Sequence, residues 1–127
     1  MRKIVVIGAT GNTGAYLVND LCRHSAELGY DVVAAGRRET RFFDRYGIEY
    51  CQVDMADRES LRALPREGVH AVVLLAGLLP AHMDGYSAEA YIRVNGIGAL
   101  NVLEYCREVG VDRILYAQTI SDVLGGM

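Results

Sequence analysis

Apolar runs alternate with helix-spaced patterns along the whole chain. The run "KIVVIGA", residues 3–9, is continuously apolar, as expected of a strand covered on both faces. A helical pattern follows over residues 12–28. Leu17, Val18, Leu21, Cys22 and Leu28 make its inner stripe, and Gly29 is a suitable stop. "DVVAAG" reads as a second strand, followed by a short helix over 39–46 that Gly47 closes. "IEYCQV" reads as a third strand, and "DRESLRAL" as a short helix ended by Pro65. "HAVVLLAG" is the fourth strand. A long helix is predicted over 88–109, N-capped by Ser87 and stopped by Gly110, before the fifth strand, "DRILYAQ".

This alternation predicts an α/β fold, a doubly wound, Rossmann-like parallel sheet of about five strands with right-handed crossovers. The expected strand order is 3-2-1-4-5. The ligand crevice would lie at the carboxyl ends of strands 1 and 4, where the order reverses. One domain over residues 1–127 is expected. The pattern stops after strand 5, so the sheet is expected to be truncated there, with "RILYA" as an exposed edge and a route to self-association.

Hydrophobic residues are 51% and charged residues 23% of the chain, the balance of a folded globular protein. A net charge of -3 gives no footing for non-specific nucleic-acid binding. No apolar run approaches the roughly 20 residues that span a bilayer, and no signal peptide precedes the first strand. The expectation is a cytoplasmic protein with no nucleic-acid or membrane partner. Cys22, Cys51 and Cys106 lack CxxC spacing and read as buried reduced thiols. His24, His70 and His82 show no ligand spacing, so no metal site is expected.

The stretch "GATGNTG" sets Gly8, Gly11 and Gly14 directly after a strand and at the opening of a helix. Gly8 would allow the tight turn, Gly11 the approach of a pyrophosphate, and Gly14 close packing of helix on strand. Thr10, Asn12 and Thr13 complete the loop, whose free N–H groups would receive the anion of a dinucleotide cofactor. At the end of strand 2, Gly36 stands where an acid would select NAD, and Arg37 and Arg38 follow. The pair reads as a clamp for a 2′-phosphate, favouring NADP over NAD. The alternative is two solvated arginines starting a helix, where they would oppose the dipole. Asn95 falls on the stripe Ile92, Asn95, Ala99, Val102, Cys106 and Val109 and so faces inward. A buried amide without partners costs about 1–3 kcal/mol. Gly96 and Gly98 cost about 1 kcal/mol each against alanine, which points to tight packing or a local function.

The GxxGxxG spacing, "CQVDMAD", "HAVVLLAG" and "YIRVNGIGALNVLEYCREVGVDRILYAQT" together resemble the short-chain dehydrogenase/reductase superfamily, and in particular its extended branch, the NAD-dependent epimerase/dehydratases. The resemblance covers nearly the whole chain. It implies that Asp54 accepts from the adenine amino group with Met55 beside it; a strand-end turn aspartate is the alternative. It implies that Ala76 and Gly77 lie against the cofactor ribose, where small residues permit close approach. Leu74 stands where the family often has histidine. Asn95 would help form the active-site and proton-relay region, although a structural asparagine bonded to nearby backbone fits the spacing equally.

Catalysis in this family uses a Ser or Thr after strand 5, a Tyr, and a Lys four residues after the Tyr. A phenol near pKa ~10 needs a nearby positive charge to act as a base near neutral pH. Lys3 is the single lysine here, and none of the eight tyrosines has lysine at the fourth place. In relatives the pair comes further on, so these 127 residues alone are expected not to turn over. Aligned on Gly125, the hydroxyl position falls on Ile120, flanked by Thr119 and Ser121; Thr119 is the candidate. Relatives often bury the outward side of the long helix, here Tyr91, Leu103 or Tyr105, in a dimer contact, so a homo-oligomer is expected. The resemblance implies the NAD(P)-binding portion of an epimerase, dehydratase or reductase acting on a nucleotide sugar or similar carbonyl or alcohol. An NAD(P)-sensing module of the NmrA-like kind, or a structural Rossmann domain with a vestigial site, are the other readings.

Overall fold

The computed structural model describes residues 2–75, 89 and 92–117. Strands β1 (Arg2–Ile7), β2 (Tyr30–Gly36), β3 (Glu49–Gln52), β4 (Val69–Leu74) and β5 (Ile114–Tyr116) form one sheet in the order β3-β2-β1-β4-β5, every pair parallel. β1 is central: Val5 lies beside Val33 of β2 and Val72 of β4. Its Val5 and Ile7 enter one core cluster and Val6 the other, which explains the continuously apolar run.

Each face has its own cover. Helix α1 (Asn12–Leu28) and a 3₁₀ turn, Phe42–Tyr46, bring Val18 and Phe43 to the Val6 side. Helix α2 (Ala99–Val109) and a second 3₁₀ turn, Arg58–Ala63, bring Val102, Tyr105, Cys106 and Leu61 to the Val5 side. Both helices end on the expected glycines, Gly29 and Gly110, in the left-handed conformation. Cys51 and Cys106 are buried free thiols, each pushed up to about 11 by burial. They remain protonated near neutral pH. No helix among the described residues is long and apolar enough to cross a membrane.

Several expectations need correction. The short helices predicted over 39–46 and in "DRESLRAL" are 3₁₀ turns, and the first starts only at Phe42. Local side-chain bonds compete with an α-helical start. The Thr40 hydroxyl accepts from Phe42 N–H at 3.1 Å, and Asp57 accepts from Glu59 N–H at 3.2 Å. Leu64 is extended before Pro65 and ends the second turn. Leu28 is 67% exposed, so the inner stripe of α1 stops short of it. Tyr105, placed outward by the sequence, is buried, and its hydroxyl donates to Pro65 O.

The long helix over 88–109 is not one α-helix. Residues Ile92–Gly98 wind as a wider π-helix before α2 begins at Ala99. The stretch "IRVNGIG" pairs glycines with β-branched residues, a weak α-helical composition. Bonds in the π-turn run from i to i+5, so the phase of α2 does not carry back to Asn95. Ser87 and Tyr91 lie outside the described residues. At the far edge, Ile114, Leu115 and Tyr116 of β5 are exposed, as are Ile97, Leu100 and Leu103 near and on α2.

Candidate functional site

The carboxyl end of β1 opens into the glycine loop, and the three glycines have three different reasons. Gly8 takes φ +92°, a conformation that side chains disfavour. The turn lets Gly8 N–H and Ala9 N–H both donate to Ala35 O, at 2.9 and 3.0 Å. The loop is thereby fastened to the end of β2. At Gly14, a Cβ would sit 2.4 Å from Gly8 O and 2.7 Å from Ala9 Cα, so helix and loop touch backbone to backbone. At Gly11, a Cβ would meet only Gly8 O, at 3.7 Å. The packing of the fold does not itself require glycine there.

Gly11 is also the N-cap of α1, with no side-chain cap and no acidic residue in the first turn. The first N–H groups of the helix are therefore left for an anion. Thr13 is an exposed residue of that first turn. Asn12 opens the helix, and its side chain lies outside the described residues.

The end of β2 is closely packed. A Cβ on Gly36 would come within 3.0 Å of both Thr10 Cγ2 and the Tyr50 hydroxyl. Thr10 and Tyr50 thus pack tightly against the strand end where an acid would stand. Beyond Gly36, side chains of β3 pin the loop: Tyr50 OH donates to Arg38 O, and Gln52 Nε2 donates to Arg37 O at 3.2 Å. Burial, then the neighbouring Cys51, raises the Tyr50 pKa, so the phenol remains a donor. Both arginines are exposed and precede the Phe42 turn, so they do not start a helix. Arg38, Thr10, Ala9, Ala15, Thr40 and Phe42 line a cleft of ≈ 200 Å³ beside the glycine loop; Arg37 is not among its described walls.

Tyr50 and Gln52 were missed by the sequence reading. Their alternate positions on β3 place them on one side of the strand, but nothing local shows that this side meets the Arg37–Arg38 carbonyls.

After β3 the chain turns through Asp54 and Met55. Asp54 Oδ1 accepts from Ala56 N–H at 3.0 Å, and Asp54 N–H donates to Ser60 Oγ at 2.9 Å. The carboxylate thus shapes a strand-end turn while staying half-buried at the crevice side of the sheet. Met55 is buried, and its carbonyl accepts from Asn101 Nδ2 of α2 at 2.9 Å. Asn95 lies half-buried in the π-helical segment that leads into α2. Ala76, Gly77 and Thr119 lie outside the described residues.

A parallel sheet ordered 3-2-1-4-5, with a glycine loop that caps its first helix by backbone alone, is a Rossmann-like dinucleotide-binding fold. The chain belongs to the NAD-dependent epimerase/dehydratase family, whose family model matches residues 4–127. A 2-alkyl-3-oxoalkanoate reductase of Stenotrophomonas maltophilia is 31% identical over 125 residues, covering 94% of this chain and 34% of the relative. The crystal structure of a UDP-galactose 4-epimerase superposes with a TM-score of 0.74 at 27% identity, over 92% of this chain and 38% of that one. A Thermus thermophilus UDP-glucose 4-epimerase in complex with NAD gives 0.71 at 26% identity, over 92% of this chain and 37% of the other. The chain spans about a third of the length of these relatives.

Proposed function

We propose that these residues form the NAD(P)-binding part of an epimerase, dehydratase or reductase that acts on a nucleotide sugar or a similar carbonyl or alcohol, with NADP preferred over NAD. One observation supports the cofactor preference. Gly36, crowded by Thr10 and Tyr50, stands at the position of the NAD-selecting acid, while Arg38 walls the cleft beside it. A guanidinium there suits a 2′-phosphate, which offers oxygens to a planar fork of donors.

The residues fit a dinucleotide. Gly11 leaves the approach to the helix open, and the uncapped N–H groups of α1 would hold the pyrophosphate. Asp54 would accept from the adenine amino group through the part of its carboxylate not used by Ala56. Met55 stands beside it. Thr10, Asn12 and Thr13 would line the phosphates, and Ala76 and Gly77 the ribose. A bound nicotinamide supplies hydride transfer. Asn95 would hold a proton-relay partner near the reacting carbon, and Thr119 would orient the substrate oxygen. The tyrosine and lysine that move the proton in such sites are not paired within these residues, so turnover requires a segment beyond them. The exposed apolar residues of β5 and α2 support pairing of two copies through that side.

Calorimetric titration of the chain with NADP and NAD at matched salt tests the reading. NADP should bind tighter by roughly tenfold to a hundredfold, the worth of a charged hydrogen bond. Equal affinities, or a preference that survives in the Arg37→Ala, Arg38→Ala double variant, would count against the clamp.

A further inference from the structure

Two contacts from one helix end meet on a single residue of the proposed adenine edge. Asn101 Nδ2 donates to Met55 O at 2.9 Å. One turn earlier, Gly98 is buried so closely against the Met55 side chain that a Cβ there would lie 2.7 Å from Met55 Cε and 2.9 Å from Cγ. Met55 is therefore gripped by its carbonyl and by its thioether. Its neighbour Asp54 is held within its own turn, through Ala56, Asp57 and Ser60.

Glycine at position 98 costs helix stability of about 1 kcal/mol against alanine. Its backbone, φ -60° and ψ -45°, is ordinary helix, so conformation does not call for glycine. A Cβ there would instead displace the Met55 side chain. The same argument applies to Asn101, a poor helix former whose amide is spent on a carbonyl from a different element.

We infer that Asn101, supported by Gly98, is a positioning residue that sets the depth of the Asp54–Met55 turn, and with it the aim of the Asp54 carboxylate at the adenine amino group. This rests on the dinucleotide reading above. It also ties the adenine edge to the π-helical segment that carries Asn95, because Gly98 ends that segment and Asn101 follows in α2. A ligand that seats on Asp54 would thus stiffen the stretch leading back to Asn95.

The test compares two probes, NADP and its hypoxanthine counterpart, which lacks the adenine amino group. The wild-type chain should favour the adenine form by about tenfold, the worth of one hydrogen bond to a charged group. Asn101→Leu should cut that ratio below about threefold while leaving affinity for the hypoxanthine form within about twofold. Gly98→Ala should do the same, by pushing Met55. Asn101→Ala removes the donor without adding bulk or charge, and it gives the same readout if the leucine variant folds poorly. A ratio that survives in all three variants overturns the inference. So does an equal loss of both probes, which is what a merely structural role gives. A wild-type ratio near one removes the role of Asp54 and the inference with it, but leaves the glycine loop standing. Failure of the wild type to bind either probe overturns the dinucleotide reading itself.

Discussion

Two helix openings in this fold, one after a strand and one after a π-helical segment, use glycine against a close neighbour, and they differ in what the neighbour is. At the opening of α1, Gly14 faces backbone: Gly8 O and Ala9 Cα. At the opening of α2, Gly98 faces the flexible side chain of Met55. Backbone cannot step aside without undoing the bonds from Gly8 and Ala9 to Ala35 O. A thioether can change rotamer. The first junction is a rigid cradle, and the second is an adjustable one.

Alanine at the two sites should separate them. Gly14→Ala should destabilise the fold by about 3 kcal/mol, the upper part of the overpacking range, and abolish nucleotide binding. Urea denaturation and calorimetry read both. Gly98→Ala recovers about 1 kcal/mol of helix propensity and spends a comparable amount on shifting Met55, so its net stability change should stay within about 1 kcal/mol. Equal damage at the two positions would mean that Met55 is as immovable as a main chain.

Between these extremes sits Tyr105, which fastens α2 to the Pro65 carbonyl just after the second 3₁₀ turn. Burial raises its pKa strongly, so the hydroxyl stays a donor. Tyr105→Phe leaves Pro65 O without that donor and should cost about 1–3 kcal/mol, measured as a lower urea midpoint with unchanged slope. No change would mean that water replaces the phenol, and that the second junction depends on Asn101 and Gly98 alone.

The contrast also explains what the sequence could show. The glycine loop is local: Gly8, Gly11 and Gly14 act within one turn, so spacing alone conveys the turn and the packing. The sheet order is legible for a related reason, since the continuous apolar runs require cover on both faces. The second junction is not local. Met55 and Gly98 stand far apart in sequence, and Asn101 reaches the same distant carbonyl. Nothing near Gly98 announces its partner, although the cost of glycine in a helix marks the position as unusual. The π-turn hides Asn95 in another way, by breaking the α-helical phase on which its stripe was counted. At Gly36 the sequence shows a missing acid, but only the structure shows that Thr10 and Tyr50 pack closely against that position.

The smallest expected effect concerns charge, and it separates the junctions by pH. Glu108 of α2 accepts from Arg66 Nη2 at 3.0 Å and from Arg58 Nη2 at 3.3 Å, tying α2 to the segment below the Asp54 turn. These bonds, Arg66 first and then Arg58, hold the Glu108 carboxyl below its ordinary range. A depressed folded pKa means that the stabilisation is present above the ordinary glutamate pKa. It fades as pH falls through that value toward the folded one. The three side chains are exposed, so the effect is modest and screened by salt. The bonds that fasten the glycine loop to β2 are backbone bonds and do not titrate. Hydrogen exchange followed from neutral pH into the acid range, corrected for intrinsic rates, should show protection of α2 falling before that of Gly8 and Ala9. In Glu108→Gln that extra acid sensitivity of α2 should disappear, while the loop is unchanged. If α2 and the loop lose protection together in both proteins, the arginine bridge does not distinguish the two junctions, and the adjustable one is held by packing alone.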